Sequence, residues 1–223
     1  VIEAVEVNEA VEVLDRFSIV VSPTVSRIMK SDESETPAPN DRSLQFSQHA
    51  VVAGPGKALE AASDHAKNLG FNVINLGDQV EGLAVEIAKS HAHLIRTKKL
   101  FEHNQRTLLL SGGEATVKVA GEGSGGPNQE YLLALAIELN GLENLFGIAC
   151  DTDGIDGATT AAGAVITPST LSRAADHGIS PKNCLENNDA GSFFSLLDDL
   201  VTTGPTYTNV NDFRAIAYIP NSD

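Results

Sequence analysis

The sequence predicts a layered α/β fold with a mostly parallel sheet, divided into two parts. Short apolar runs typical of buried strands alternate with longer amphipathic runs typical of helices, and this order favours parallel strands covered by helices. Apolar periodicity stops and charge clusters at 96–105. We therefore assign residues 1–100 to a first α/β domain and residues 105–223 to a second.

In the first domain, the clearest signals are residues that begin and end helices. Ser22 before Pro23 is a typical N-cap and first-turn pair, and it predicts a short helix ending near Met29. Gly70 predicts the end of another helix. We predict helices at 9–17, 23–29, 57–68 and 80–95, strands at 49–53 and 71–76, turns at 54–56 and 77–78, and a loop at 31–42.

In the second domain, Pro127 suits the first position of a helix that closes near Asn140-Gly141. Gly112-Gly113 lies between two short alternating runs and predicts a hairpin or a strand pair. We predict strands at 107–110, 116–119, 145–150, 162–166 and 213–219, and helices at 127–139, 168–177 and 190–198.

Composition limits the class of protein. A chain of 223 residues with a formal charge of −15 and no basic run does not suit binding to nucleic acid or to an anionic membrane. Only Cys150 and Cys184 are present, without the spacing of a disulfide framework or a zinc site, which favours a reducing compartment. We find neither a targeting segment nor a run long enough to span a membrane, so we expect a cytoplasmic protein.

A glycine-rich stretch, Gly121-x-Gly123-x-x-Gly126, follows a predicted strand and precedes a helix. It could be a dinucleotide fingerprint, a structural turn, or a loop that binds substrate or phosphate. The fingerprint needs an acidic residue about 20 positions on, and Asp151 lies 151 − 121 = 30 residues from Gly121. Asn128, Gln129 and Glu130 then occupy the first helical turn, where they either face an anionic ligand or cap the helix.

Carboxylates follow two predicted strands. Asp151, Asp153 and Asp156 lack the spacing of an EF-hand, but they could bind Mg²⁺ or simply close Asx-turns. Glu114, after Ser111-Gly112-Gly113, could accept a proton from a hydroxyl or lie exposed in a hairpin. The uncharged segment 206–212 suits a small polyhydroxy acid, or it is a turn.

The remaining nucleophiles and histidines do not form a recognisable site. His91 and His93 point to different sides of the predicted helix and cannot bind one metal together. The sequence contains no Gly-x-Ser-x-Gly elbow, and Cys150 lies in an apolar strand, so nucleophilic catalysis has little support.

Four motifs in this order resemble the C-terminal, MOFRL-type domain of type II glycerate kinases. They are SGGE at 111–114, GxGxGGxNQE at 121–130, TDGIDG at 152–157 and TGPTxTNVND at 203–212. Residues near 14–96 resemble, more loosely, the last part of that family's Rossmann-like N-terminal domain. The resemblance implies ATP-dependent phosphorylation of D-glycerate to 2-phosphoglycerate with Mg²⁺, in a cleft between two α/β domains.

The resemblance also implies roles for individual residues. Glu114 or Asp151 would lie near the reacting hydroxyl, and Asp153 and Asp156 would hold the metal. Substrate and phosphate would be bound by Ser111, Gly112, Gly113, Gly123, Gly125, Gly126, Asn128, Gln129, Thr208, Asn209, Asn211 and Asp212.

Two departures from the family pattern qualify this expectation. Many relatives carry a basic residue where this chain has Pro127, and the family's lysine motif of the AGK type is not found ahead of Lys57. We therefore expect a truncated homologue that is incomplete as a kinase, with a second copy or a partner chain covering its sheet. The alternatives are an NAD(P)-dependent hydroxypyruvate reductase and a non-catalytic module that binds a small hydroxy acid.

Overall fold

The computed structural model describes residues 7–31, 34–37, 41–48, 50, 52–101, 105–140 and 142–221. The chain divides after Val51 into two compact units. In the first unit, α1 spans Val7–Arg16, α2 spans Pro23–Met29, and a 3-10 turn spans Arg42–Leu44. The hydroxyl of Ser22 accepts the Val25 N–H at 3.3 Å, so the predicted N-cap is confirmed.

The second unit holds the remaining elements. The helices are α3 (Pro55–Asn68), α4 (Ala84–Thr97), α5 (Pro127–Glu138), α6 (Thr170–Asp176), α7 (Pro181–Glu186) and α8 (Ala190–Leu196). The strands are β1 (Asn72–Asn75), β2 (Gly82–Leu83), β3 (Thr107–Gly113), β4 (Ala115–Thr116), β5 (Leu145–Asp151), β6 (Gly163–Ile166), β7 (Leu200–Val201) and β8 (Asp212–Tyr218). Among these described helices, none combines the length and the apolar character needed to cross a membrane.

The layered α/β class is confirmed, and the sheet is mixed. Within the described residues, six strands form one sheet in the order β1-β3-β8-β5-β6-β7, and β2 pairs with β4 separately. The parallel direction expected for most of the sheet holds for the pairs β1–β3 and β2–β4. The other pairs are antiparallel. Strand β8 lies between β3 and β5 and runs opposite to both, and β6 is antiparallel to β5 and to β7.

Three local predictions were wrong. The hairpin expected around Gly112-Gly113 does not form, because β3 pairs with β1 and β8 while the short β4 pairs with β2. Pro55 begins α3, so the turn expected at 54–56 is a helix start with Gly54 at the N-cap. Of the strand expected at 49–53, residues 50, 52 and 53 are not in a strand, and residues 49 and 51 lie outside the described part of the chain.

Helix α5 forms the centre of the core. Residues from Asn128 to Ala136 are buried on every side of this helix, which packs against α4, β5 and β6. Leu109 and Leu110 are neighbours in β3 and contribute to opposite faces of the sheet, Leu109 to the large cluster around α5 and Leu110 to a smaller cluster with Leu59 of α3. The beginning of α5 is thereby held firmly beside the ends of the central strands.

Candidate active site

One edge of the sheet brings together loops that are distant in sequence. Strands β1, β3 and β5 run in the same direction, so their carboxyl ends lie at the edge where β8 begins. Gly113, Asp212 and Asp151 are register partners in a single row across β3, β8 and β5. Three of the four sequence motifs, those at 111–114, 152–157 and 203–212, therefore meet at this edge, the place where α/β sheets bind ligands.

Asn128 links this row to α5. Its side-chain amide Nδ2 donates to Asp212 Oδ1 at 2.7 Å and to Asp156 Oδ1 at 3.2 Å. These two carboxylate acceptors fix the orientation of the amide, because the oxygen of Asn128 could not face either of them. Asn128 is fully buried, and its Oδ1 has no hydrogen-bond partner in the described part of the chain.

Asp156 serves as the cap of α5. Its Oδ1 accepts the backbone N–H of Asn128 at 3.0 Å, and its Oδ2 accepts the backbone N–H of Gln129 at 2.9 Å. Burial raises the pKa of Asp156 to about 6, although the hydrogen bonds from Asn128 and Gln129 oppose this shift. The open N–H groups at the helix start, which could have bound a phosphate, are thus already paired with a carboxylate.

The glycine-rich stretch is held by a second segment of the chain, the clamp segment Asn187-Asn188-Asp189. Asn188 Oδ1 accepts two backbone N–H groups at 2.8 Å, those of Ala120 and Gly121. The clamp segment accepts the next three N–H groups as well, which belong to Glu122, Gly123 and Ser124. Five consecutive donors are therefore unavailable to a pyrophosphate.

Close packing explains why glycine is required in this loop. A Cβ on Gly121 would lie 2.4 Å from the backbone of Asn187, and one on Gly126 would lie 2.3 Å from Asp156. Both distances are far below van der Waals contact. Of the three interpretations of Gly-x-Gly-x-x-Gly, the structural turn accounts for these contacts most directly.

The loop after β5 and the loop before β8 are fastened to each other. Thr152 Oγ1 donates to the Asn211 carbonyl at 2.8 Å and accepts the Val210 N–H at 2.8 Å. Thr206 Oγ1 donates to the Thr152 carbonyl at 2.6 Å. Asn209 has a long contact of 3.5 Å from its Nδ2 to Asp153 Oδ2. The two loops form one wall of the candidate site.

Asp151 is the carboxylate whose surroundings best suit proton transfer. It is half-buried, and its Oδ1 accepts the Asp153 N–H at 3.1 Å. Burial raises the pKa of Asp151 above its ordinary value, and the nearby carboxylates of Asp153 and Asp212 raise it further. A carboxylate with such a shift, at the edge of a sheet, is a candidate general base.

The other predicted site residues lie in different environments. Glu114 is exposed directly after β3, and Thr208 is exposed in the loop before β8. Ser111 is buried within β3. Burial raises the pKa of Glu130, and the Oε2 of this residue accepts the Asn188 amide at 2.9 Å. Whether Glu130 caps the helix or faces an anionic ligand stays a prediction.

Three further features of the site were not found from the sequence. Arg214 is fully buried and binds Asp212 Oδ2 at 2.5 Å, and its guanidinium carbon lies 5.5 Å from the centre of the Tyr131 ring. The Tyr131 hydroxyl hydrogen-bonds His91 Nδ1 at 2.9 Å. A signal was available for Arg214, because it is the one charged residue within the apolar run of β8 after Asp212. The clamp segment offered only a run of capping-type residues.

Residues 107–212 match the MOFRL family. This part of the chain is a MOFRL domain. Every site residue predicted between Ser111 and Asp212 lies within it, whereas Arg214 lies just beyond its last matched position.

Two other proteins are similar to this chain over most of its length. The chain is 40% identical over 212 residues to a protein of Agrobacterium vitis provisionally named a hydroxypyruvate reductase, covering 93% of this chain and 48% of that protein. It is 33% identical over 207 residues to the D-glycerate 2-kinase of Thermotoga maritima, covering 92% of this chain and 48% of that enzyme. The chain thus spans about half the length of these relatives.

A solved structure agrees with this relationship. The crystal structure of a glycerate kinase from Thermotoga maritima at 2.70 Å superposes with a TM-score of 0.79 and 31% identity, covering 97% of this chain and 51% of that one. The MOFRL domain and the elements before it therefore share the fold of about half of that glycerate kinase.

The carboxylates of the MOFRL domain differ in how well they suit a metal. Within the described residues, no group of three or more His, Cys, Asp or Glu side chains could hold a metal ion. A magnesium ion that also binds substrate phosphates needs only one or two carboxylates. Asp153 Oδ1 accepts the Ile155 N–H, while its Oδ2 makes only the long contact to Asn209, so this residue fits. Both oxygens of Asp156 are committed to α5, which suits it less.

Proposed function

We propose that this protein takes part in the ATP-dependent phosphorylation of D-glycerate, giving 2-phosphoglycerate. The observation that carries the proposal is the row Gly113, Asp212 and Asp151, which lies beside Asn128 inside a MOFRL domain. Similarity to proteins named glycerate kinase supports the same reaction. Because the chain spans about half of those relatives, the activity of this chain alone is part of the proposal.

Asp151 is the proposed acceptor of the glycerate hydroxyl proton. Its raised pKa makes it a stronger base than an exposed carboxylate, and its place at the end of β5 opens toward the loops at 152–156 and 204–211. Glu114 is the other candidate, and its exposed position gives it a weaker case. The amide and hydroxyl groups of Asn209, Asn211 and Thr208 would bind the hydroxyls and carboxylate of glycerate.

The site requires positive charge that its own side chains do not supply. Asp151, Asp153, Asp156 and Asp212 lie near one another, and the cation Arg214 is already paired with Asp212. A triphosphate would be repelled here without compensation. Mg²⁺, when bound at Asp153 together with the phosphates, would neutralise charge on the phosphoryl oxygens.

The test measures ADP formation from ATP with D-glycerate and Mg²⁺ on the purified chain, beside calorimetry of glycerate binding. We expect Asp151→Asn to lower kcat by about 10²–10⁴-fold, the usual contribution of a general base, and Glu114→Gln to have a small effect. Asp176→Asn, at the exposed end of α6, is the matched control. Phosphorus NMR of the product identifies the phosphorylated hydroxyl.

Each outcome separates the candidate roles. If Glu114→Gln abolishes turnover and Asp151→Asn does not, the base is Glu114. Glycerate binding without ADP formation would leave the non-catalytic hydroxy-acid module as the better description.

The reductase hypothesis has one observation in its favour, the provisional name of the relative from Agrobacterium vitis. The geometry of the glycine-rich stretch counts against it, because the N–H groups of residues 120–124 are paired with the clamp segment. Oxidation of NADH or NADPH with hydroxypyruvate would support the reductase, and we expect none.

A further inference from the structure

A large pocket is lined by Gln129, the residue that follows Asn128 in α5. Its volume is about 580 Å³, and it lies between residues 159–161, helix α8 and strand β7. We call it the Gln129 pocket. Part of its floor is formed by Gly191, whose N–H donates to the Ser124 carbonyl at 2.7 Å. A volume of this size is typical of pockets that bind small organic ligands.

The lining of the Gln129 pocket is polar and uncharged. Of the described residues that line it, none is an acid or a base. The lining includes Ser124, Thr160, Ser195 and Thr202, whose hydroxyls have no hydrogen-bond partner in the described chain, and Leu196 and Leu200 supply apolar surface. Leu196 is 63% exposed, so a ligand in the pocket could cover this side chain. These groups suit a neutral ligand with a flat apolar face and polar edges.

Gln129 provides a buried group that a ligand could satisfy. Its side chain is fully buried, and Nε2 donates to Thr159 Oγ1 at 3.0 Å. Its Oε1 has no hydrogen-bond partner in the described part of the chain. This oxygen lies 3.0 Å from the position that a Cβ on Gly191 would occupy, so the missing side chain of Gly191 leaves the acceptor facing the pocket floor. An unpaired buried acceptor is costly and calls for a donor.

The Gln129 pocket has a neighbouring cavity at the glycine-rich loop. Ser124 lines both the Gln129 pocket and a neighbouring cavity of about 410 Å³ that is also lined by Gly125, Gly126 and Gly157. The N–H groups of Gly125 and Gly126 make no hydrogen bond within the described chain, unlike the five preceding N–H groups of the loop. A ligand in the Gln129 pocket could therefore extend an anionic group over Gly125 and Gly126.

We propose that the Gln129 pocket binds the nucleoside part of the nucleotide used in the reaction. The base would lie against Leu196 and Leu200 and donate an N–H toward Gln129 Oε1, and the ribose hydroxyls would meet the Ser and Thr hydroxyls of the rim. A polyol has no flat apolar face to cover Leu196, and a lining without cations would not hold the phosphates themselves. This inference rests on the proposed phosphorylation, because it assigns a binding site to the nucleotide used in that reaction.

The test uses adenosine as the probe, without Mg²⁺ or glycerate, and follows the amide signals of the ¹⁵N-labelled 223-residue chain by NMR. We expect adenosine to shift the signals of Gly191 and Ser192 and of the Gln129 side-chain amide. Ser195→Trp would fill the pocket from the exposed face of α8 and weaken adenosine binding by about tenfold or more. Ser172→Trp, exposed on α6 and outside the pocket, is the control and should bind adenosine normally.

The outcomes separate this inference from the proposed function. No shift at adenosine concentrations up to about 5 mM, a range that detects millimolar affinity, overturns the assignment. Equal shifts with ribose alone also overturn it, because the pocket would then bind a polyol. If Ser195→Trp forms ADP with an unchanged KM for ATP, the kinase activity is supported and the nucleoside site in the Gln129 pocket is contradicted. If Ser195→Trp weakens adenosine binding but the chain forms no ADP, the nucleoside site is supported and the kinase activity of this chain is contradicted.

Discussion

At the scale of single residues, a buried ion pair between Arg214 and Asp212 lies at the start of β8. Both side chains are buried, and Asp212 also accepts the Ala115 N–H at 2.7 Å and the Asn128 amide. Removing one partner of a buried pair leaves an uncompensated charge. We expect Arg214→Met to lower the free energy of unfolding by about 3–5 kcal/mol, measured by urea denaturation. The double variant Arg214→Met with Asp212→Asn should regain part of this loss, and a purely additive result would contradict the pairing.

His91 gives a prediction about pH. Burial and the charge of Arg214 lower the pKa of His91 to about 4, from 6.5, so the histidine is neutral when folded and protonates more readily when unfolded. Its contribution to stability is complete above pH 6.5 and is lost as the pH falls toward 4. The pKa of Asp156 is raised from 3.8 to about 6, so the contribution of this residue to stability increases as the pH falls through this range, opposite to that of His91.

The effect of His91 is therefore measured as a difference between two proteins. Between pH 7 and pH 4, the free energy of unfolding of His91→Gln should rise relative to the wild type by about 3 kcal/mol, because the pKa of His91 is 6.5 in the unfolded chain and about 4 in the folded one. Glutamine can still hydrogen-bond the Tyr131 hydroxyl, which limits other losses. His177→Gln, exposed at the end of α6, is the control, and parallel curves for wild type and His91→Gln would exclude a titrating His91.

At the scale of elements, the clamp segment determines the shape of the glycine-rich loop. Asn188→Ala leaves the N–H groups of Ala120 and Gly121 without an acceptor and places alanine at a φ of 53° that asparagine tolerates better. We expect a loss of about 1–3 kcal/mol in the free energy of unfolding and faster hydrogen exchange at 120–124. Asn183→Ala on the exposed face of α7 should change neither, and unchanged exchange in Asn188→Ala would show that the loop keeps its shape unaided.

How well an element could be predicted depended on whether its determinants are local. Pro23, Pro127 and Gly70 mark the ends of helices within a few residues, and these boundaries agree with the structure. The pairing of Gly113 with Asp212 joins residues 212 − 113 = 99 positions apart, so the sequence favoured a local hairpin instead. Helix α7 and strand β7 were missed because each is too short for a periodic signal.

The same distinction applies to the candidate site. The clusters at 111–114, 151–157 and 206–212 could be located because glycine, aspartate and asparagine stand out after apolar strands. Their internal contacts could not be predicted. Whether Asp156 faces a metal or caps α5 depends on where α5 begins in space, and no local pattern of the loop records that position.

At the scale of the whole molecule, the main question is which part of the chain folds as a unit. The sequence predicts a boundary between 100 and 105, and this stays a prediction. In the structure, Ala88, Ala92 and Ile95 of α4 belong to the same hydrophobic cluster as Tyr131 and Leu135 of α5. Strand β1 also pairs with β3 across the predicted boundary. A cut at 105 would expose the core face of α5 and one edge of β3.

We therefore expect two shortened chains to behave differently. Residues 52–223 contain both described hydrophobic clusters and should unfold cooperatively, with a melting temperature close to that of the full chain. Residues 105–223 should lack a cooperative transition in calorimetry, because each aliphatic side chain lost from the α4 contact is worth about 1.5–3 kcal/mol and a domain of this size holds only about 5–15 kcal/mol in total. A sharp transition in 105–223 would instead establish the MOFRL domain as an independent folding unit, and would place the boundary where the sequence predicts it.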